Sequence, residues 1–410
     1  MGLARRTSRD IRSDSRVDVL HAVLSAGQTT RNGVAQSTGL SPATVATIVG
    51  ELIDEGIIAE TRGIAGGIGR PTAVIGMNGD RGRVVGIDVA ETYVRTVLFD
   101  TALTQLATTV TERDEHILDP ASVVEEIGGA LDRMLLQENV SRDALLGVGV
   151  ALPALVQEPS GVSVLVPNWT WHSVELEHLR TRVGLPLVIE NPLKAMVAAE
   201  LWLGRGRSAA SLVTVNLGTG VGAGIVLEGR ILRGATNSAG EWGHSLLVLD
   251  GRRCRCGRNG CVEAYIGAPG IQQTLREIAQ DHPLADVALQ ADFIAALAAA
   301  ANAPEPDPAV AETLDRTAYY LGSALADLVA IVNPEVVTLT GWTTWGLGSH
   351  LLEPARRHLR EQSPGHAGGD VELVVSTVSG NPVATGVALI ALERSLVDAG
   401  LLTTHIPVAL

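Results

Sequence analysis

Residues 240–265 read GEWGHSLLVLDGRRCRCGRNGCVEAY. His244 is followed by Cys254, Cys256 and Cys261, and these are all three cysteines of the chain. An odd, clustered set in a reducing compartment points away from disulfides. Three thiolates and an imidazole suit tetrahedral zinc, and four protein ligands leave no open position, so the expected role is structural. The plainer alternative is three buried free thiols. Gly257 and Gly260 allow the chain to wrap around such a site. Glu241 and Glu263 flank it, held where a carboxylate can accept hydrogen bonds from sugar hydroxyls. Taken singly, each could equally be a solvated surface acid.

Working outward, the neighbouring segments read as strands separated by glycine turns. VVGIDVAETYVRTVLFD (84–100) is two strands and a turn, and LLGVGVALPALV (145–156) is a core strand leaving into a proline loop. LVTVNLGTGVGAGIVLEGRIL (212–232) is a strand pair around a Gly-rich turn, and EVVTLTGW (335–342) repeats the strand-then-glycine pattern. VIENPLKAMVAAE (188–200) is a strand that delivers Glu190 and Asn191 to a helix opening at Pro192. AYYLGSALADLVAIVNP (318–334) has helical periodicity, and its small residues predict a core helix with a close neighbour. With 410 residues and 45 glycines, these elements predict an α/β body of more than one domain.

The N-terminal region has another character. Val17, Leu20, Val23 and Leu24 have helical spacing, and TTRNGVAQSTGL (29–40) predicts a second helix, capped at Thr29 or Thr30 and stopped at Gly39. SPATVATIVGELIDEG (41–56) opens with Ser41 as N-cap and Pro42 at the first helical position. IIAETRG and RPTAVIGMN then read as two strands of a wing. The pattern predicts a winged helix-turn-helix. In a DNA complex Ser41, Thr44 and Thr47 would face the major groove, and Arg5, Arg6, Arg9, Arg12, Arg16, Arg31, Arg62 and Arg70 would meet phosphates. No Arg or Lys lies on the third helix itself.

Charge divides the same way. The net charge is −14, but residues 1–83 carry +2 and the remainder −16, which suggests nucleic-acid contact confined to the N-terminus. No apolar run reaches the 18 or so residues of a membrane span, and the start lacks a signal peptide's apolar core. The expected location is cytoplasmic, without membrane contact.

On these motifs the chain resembles the ROK family of repressors, open reading frames and sugar kinases. CRCGRNGCVE is similar to the family's zinc signature and EWGH to its sugar motif. NLGTGVGAGIV resembles its second phosphate loop, VPNW (166–169) the loop before its cleft, and GGIGRP (66–71) the repressors' wing. The resemblance implies a winged helix-turn-helix DNA-binding domain (1–78) and a ROK-type sugar-binding domain (79–410). The latter is an actin-like, ribonuclease H-like sugar-kinase body of two lobes, 79–192 plus the C-terminal helix, and 193–385. It implies sugar held by Asn168, Asn191, Glu241, His244 and Glu263, with His244 also on zinc alongside Cys254, Cys256 and Cys261.

The departures concern catalysis. Where the family's kinases have Glu-Asn-Asp, with Asp as general base, this chain has Glu190-Asn191-Pro192, and proline cannot accept a proton. The first phosphate loop reads DVAET, with Asp88 kept but Ala90 and Glu91 where glycines stand. The adenosine-side Gly-Gly is Gly341-Trp342, while Gly218-Thr219-Gly220 survives. The expectation is a sugar-responsive DNA-binding transcriptional regulator, a repressor with a degenerate kinase site. Its partners would be double-stranded operator DNA, a monosaccharide or sugar derivative and structural Zn2+, in a homodimer or homotetramer. The alternatives are an ATP-dependent hexose kinase that also binds DNA, and a DNA-binding protein with a vestigial cleft.

Overall fold

The computed structural model describes residues 8–62, 73–114, 119–154, 156–157, 162–163, 171, 174–365 and 367–401. The chain divides into two compact units, Met1–Leu203 with Val378–Leu410, and Gly204–Thr377.

The first unit opens with three helices: α1 (Ser8–Ala26), α2 (Arg31–Thr38) and α3 (Pro42–Asp54), with strand β1 (Gln28–Thr29) after α1. The local chemistry follows the residues. Thr30 Oγ1 accepts from the Gly33 N–H at 3.1 Å, and Ser41 Oγ accepts from the Thr44 N–H at 3.1 Å, so each cap satisfies a helix-start donor. Gly39 ends α2 at φ 69°, the left-handed cap that favours glycine. Strands β2 (Ile58–Arg62) and β3 (Ala73–Met77) pair antiparallel, with β1 on the other edge of β3. Val23, Val34, Val45, Val49, Leu52 and Ile75 are buried beneath this sheet and helix set. The first helix starts at Ser8, earlier than its apolar spacing from Val17 implied.

The rest of this unit holds β4 (Arg83–Val89), β5 (Tyr93–Asp100), β6 (Gln105–Glu112), α4 (Pro120–Gln137) and β7 (Leu145–Ala151). Short strands β8 (Val156–Gln157), β9 (Val162–Ser163) and β10 (Val174–Glu175) follow, then α5 (Glu177–Val183), β11 (Leu187–Glu190) and α6 (Pro192–Leu203). The main sheet has the order β11-β7-β4-β5-β6. β4, β5 and β6 form an antiparallel meander, while β7 and β11 run parallel to β4.

The second unit repeats that plan. It contains β12 (Leu212–Leu217), β13 (Val221–Leu227), β14 (Arg230–Ile231), α7 (Glu263–Ile266), α8 (Ala268–Ile278), α9 (Gln290–Ala301) and α10 (Pro308–Val332). β15 (Val336–Thr340), α11 (Trp342–Gln362), α12 (Ala367–Asp370) and β16 (Glu372–Val375) complete it. Its sheet order, β14-β13-β12-β15-β16, again sets an antiparallel meander beside two parallel strands. This is the actin-like, ribonuclease H-like arrangement expected.

The last helix, α13 (Pro382–Asp398), returns to the first unit. A side chain at Gly86 of β4 would put its Cβ 2.0 Å from the Ala384 carbonyl oxygen, and one at Gly149 of β7 would lie 2.2 Å from that of Val387. Glycine therefore lets α13 lie directly on the sheet. Gly386 of α13 approaches α6 in the same way, 1.7 Å from its Ala195 oxygen to a hypothetical Cβ. That packing draws α6 into the first unit, so the division falls after Leu203 and before Val378 instead of at the expected 192/193 and 385.

Candidate functional site: a His/Cys cluster and a glycine turn

In the second unit the chain after β14 folds back over β13. Gly240 and Gly243 allow this, since a Cβ on either would stand 2.0 or 1.9 Å from the oxygen of Ala223 or Val221. His244 then stops in a single helical turn, Trp242–His244. Cys254 and Cys261 are buried and Cys256 is half-buried. The chain wraps around them through Gly257 and Gly260, at φ 90° and 77°. The bridge pairs Leu246 with Cys261 and Arg253 with Asn259 close the loop.

His244, Cys254, Cys256 and Cys261 bring one ligand atom each to within 4.8 Å of one another. Cys254 Sγ is 3.7 Å from His244 Nδ1, and Cys256 Sγ is 3.7 Å from Cys261 Sγ. A zinc tetrahedron with bonds of about 2.0–2.3 Å has edges of roughly 3.3–3.8 Å. The two 3.7 Å separations match such edges, and the donor set fits that metal in kind. Burial pushes the Cys254 thiol up to about 12, and a bound divalent cation would supply the charge that keeps three sulfurs deprotonated there.

Glu263 heads α7 and is buried. One carboxylate oxygen accepts from the Val221 N–H at 3.0 Å and the other from Arg255 Nε at 3.3 Å. It thus ties the β12–β13 turn to the cysteine loop. Glu241 immediately precedes the His244 turn and is half-buried.

Asn191 lies in the first unit, buried at the start of α6. Its Oδ1 accepts from the Leu193 N–H at 2.8 Å and its Nδ2 donates to the Ala154 oxygen at 3.0 Å. The side chain is therefore engaged by backbone at both ends. Pro192 is the first residue of α6, where its missing N–H costs nothing. Asp88, at the end of β4, accepts from Tyr93 Oη at 3.2 Å and from Asn381 Nδ2 at 2.8 Å. Burial pushes its carboxyl up, opposed by the bonds from Asn381 and Tyr93 and by the nearby Arg95 charge. In the second unit, a Cβ on Gly218 would lie 3.0 Å from Trp342 Nε1. The indole therefore rests against the first glycine of the Gly218-Thr219-Gly220 turn.

On the winged helix Ser41 and Thr47 are exposed and Thr44 is half-buried. Their hydroxyls already have partners within α3: Ser41 Oγ and Thr44 Oγ1 are 2.8 Å apart, and Thr47 Oγ1 donates to the Ala43 oxygen at 3.0 Å. Arg31 pairs with Glu60 at 2.8 Å. Arg16, expected to meet phosphate, is bound by Glu51 of α3 and by Glu55, the residue that caps its end, with its side chain only 15% exposed. Asn168 and Arg70 lie outside the described residues, and of Arg62 only the backbone is described. The sequence reading missed two arrangements here: the Asn381–Asp88 bond, for which it offers no signal, and the packing of Trp342 on Gly218. Trp342 itself was visible as a large residue after a glycine, but not what it covers.

Comparison with known proteins accounts for the arrangement. Residues 84–394 match the ROK family, and residues 12–59 match the winged helix-turn-helix DNA-binding family. The chain is 29% identical to a glucokinase of Halalkalibacterium halodurans over 310 residues, covering 74% of this chain and 92% of that one. It is 24% identical to the xylose repressor of Bacillus subtilis over 384 residues, covering 92% and 94%. The crystal structure of a ROK family transcriptional regulator, a homologue of the E. coli MLC protein, superposes with a TM-score of 0.75 at 25% identity, covering 95% and 99%. No described helix is long and apolar enough to cross a membrane. With a ROK match across three quarters of its length behind a winged helix, the chain is a member of the ROK family.

Proposed function

We propose that this protein is a sugar-responsive DNA-binding repressor with a structural zinc ion and a kinase site that no longer catalyses phosphoryl transfer. Repressor and glucokinase relatives share its body, so the choice turns on site residues. Pro192 carries the reading. It occupies the position that the family resemblance assigns to the general base, and it has no group that can take a hydroxyl proton. Trp342 against Gly218 adds to it, because an indole fills space beside a turn that would have to admit phosphate. Asp88, a surviving acid of the first phosphate loop, is committed to Asn381 and Tyr93.

In this reading Glu241, His244 and Glu263 contact the sugar from the second unit. His244, Cys254, Cys256 and Cys261 would hold the zinc, which supplies rigidity to those contacts and no reaction step. The winged helix would read operator DNA with Ser41, Thr44 and Thr47. Arg31 would exchange its pair with Glu60 for phosphate, and Arg62 and Arg70 would also meet phosphate. A two-fold operator would be met by a homodimer or homotetramer. The sugar acts on DNA affinity only through its differential affinity for the two states of the protein.

The test is a coupled ATP-consumption assay across a monosaccharide panel, run beside operator-DNA binding with and without each sugar. Expected are no turnover and a sugar-dependent change in DNA affinity. Turnover at ordinary enzyme rates would overturn the reading in favour of a DNA-binding hexose kinase, the alternative that Gly218-Thr219-Gly220 keeps open. Pro192→Asp alone leaves turnover low, because Ala90, Glu91 and Trp342 remain.

A further inference from the structure

Within the first unit, helix α1 of the winged helix is seated against the C-terminal end of α6. The last turn of a helix leaves carbonyls without intrahelical partners, and α1 meets two of them. His21 Nε2 donates to the Leu201 oxygen at 3.2 Å, and Ser25 Oγ donates to the Trp202 oxygen at 2.6 Å. The His21 ring also lies 4.8 Å from the Trp202 ring. Arg16 of α1 is in turn bound by Glu51 and Glu55 of the α3 end, so the seat of α1 sets where α3 is presented.

The seat has a flaw at its centre. A cavity of about 20 Å³ is lined by Leu20 and Leu24 of α1, Met77 of β3, Trp202 of α6, and Leu392 and Glu393 of α13. Trp202 and Glu393 are 4% and 3% exposed. Neither the indole N–H nor either carboxylate oxygen has a hydrogen-bond partner among the described residues. Glu393 is the only titratable residue lining the cavity.

Nearby charges are engaged elsewhere. On α1, His21 is held at Leu201 and Trp202, and Asp18 is exposed. On α6, Lys194 and Glu200 are buried with partners of their own. On α13, Arg394 pairs with Asp398, and β3 has no titratable residue. A carboxyl enclosed among leucines is stable in its neutral form, and its ionised form demands water. Water reaches Glu393 in quantity only when α1 parts from α13.

We propose that this seat is a proton-operated latch: α1 stays docked while Glu393 is protonated, and ionisation of Glu393 admits water and releases α1, with the helices it carries, from α6 and α13. The consequence for DNA rests on the repressor reading above, while the latch stands on these residues. The sign follows from linkage. Undocked, Glu393 meets water and regains an ordinary carboxyl, near pKa 4.3. Docking is therefore strongest below about pH 4.3, weakens by up to about tenfold per pH unit above it, and levels off above the raised docked value.

The experiment uses full-length protein carrying Leu24→Cys, a thiol placed on the docked face of α1. Its labelling by N-ethylmaleimide is followed from pH 5 to 8 by mass spectrometry of the peptide holding residue 24. Rates are divided by those of an unstructured peptide of the same sequence, which removes the reagent's own pH dependence. The corrected rate is expected to rise by up to about tenfold per pH unit over part of that range. With Glu393→Gln or Glu393→Leu added, it should stay flat. Hydrogen exchange in 84–151 of the same samples reads global opening, and melting temperature checks the fold. Leu20→Cys, on the same face, repeats the reading should Leu24→Cys misfold.

A corrected rate that ignores pH overturns the latch. So does a rise that survives Glu393→Gln, because another group, His21 foremost, would then be the trigger. A rise matched by lost protection in 84–151 also overturns it, since the whole unit would be opening. None of these measurements involves DNA, so their failure leaves the repressor reading standing. A protein that binds no DNA, yet shows the Glu393-dependent rise, defeats that reading and supports the latch.

Discussion

At the scale of single residues, the informative groups are those whose polar atoms are matched or unmatched by their surroundings. Glu393 of α13 is 3% exposed, and neither of its carboxylate oxygens has a hydrogen-bond partner among the described residues. It borders a water-sized cavity of about 20 Å³ lined by Leu20, Leu24, Met77, Trp202 and Leu396. Burial pushes its carboxyl well above the usual range. A raised acid contributes stability below its unfolded value, near 4.3, and loses it as pH rises through the folded value. Glu393→Leu should therefore raise the urea midpoint at pH 8 by the equivalent of about 1–3 kcal/mol, and by much less at pH 5. Chemical denaturation at the two pH values checks this. The cysteines give a second prediction: Cys256→Ser leaves three ligands, and elemental analysis should fall from about one zinc per chain to a small fraction.

At the scale of elements, sequence and structure agree where the information is local. The Thr30 and Ser41 caps, the Gly39 stop and Pro42 at the first helical position each depend on a few consecutive residues. Ser41→Ala should therefore cost about 1 kcal/mol of stability, read as a lowered melting temperature, and fray the start of α3 in hydrogen exchange. The small residues of the helix at 318–334 foretold a close neighbour, and Gly322 meets Ala355 and His358 of α11. The lobe boundary was less legible. Nothing in the residues around 193 says that α6 will be held by a helix almost 200 positions later. Gly386 holds it, so Gly386→Ala should cost at least about 2 kcal/mol through a clash with the Ala195 backbone. Ala195 cannot relieve that clash by rotating a side chain.

At the scale of the whole molecule, the chain builds one sheet plan twice and closes the first copy with its own C-terminal helix. The two copies should respond differently to injury. Chelation of the proposed zinc should loosen the second unit, whose cysteine loop and β12–β13 turn are joined by Glu263. Hydrogen-exchange mass spectrometry should then show lost protection in 240–270 while 84–151 keeps its own. Truncation after Thr377 should do the reverse, exposing the face of β4 and β7 that α13 covers.

The sequence alone determined the winged helix and the α/β body, and it marked out the His/Cys quartet that the fold gathers. Each is written in short-range spacing: caps within three residues, thiols within eight, alternating apolar strands. It also carried the identity of residue 192, a proline with no side-chain group that can take a proton. Tertiary structure decided which groups are already satisfied. Asp88 is bound by Asn381, 293 residues away, Arg16 is drawn to Glu51 and Glu55, and Trp342 rests on Gly218. Whether a charge is spent depends on what distant chain is brought beside it and how much water is removed, and neither is encoded in spacing along the chain.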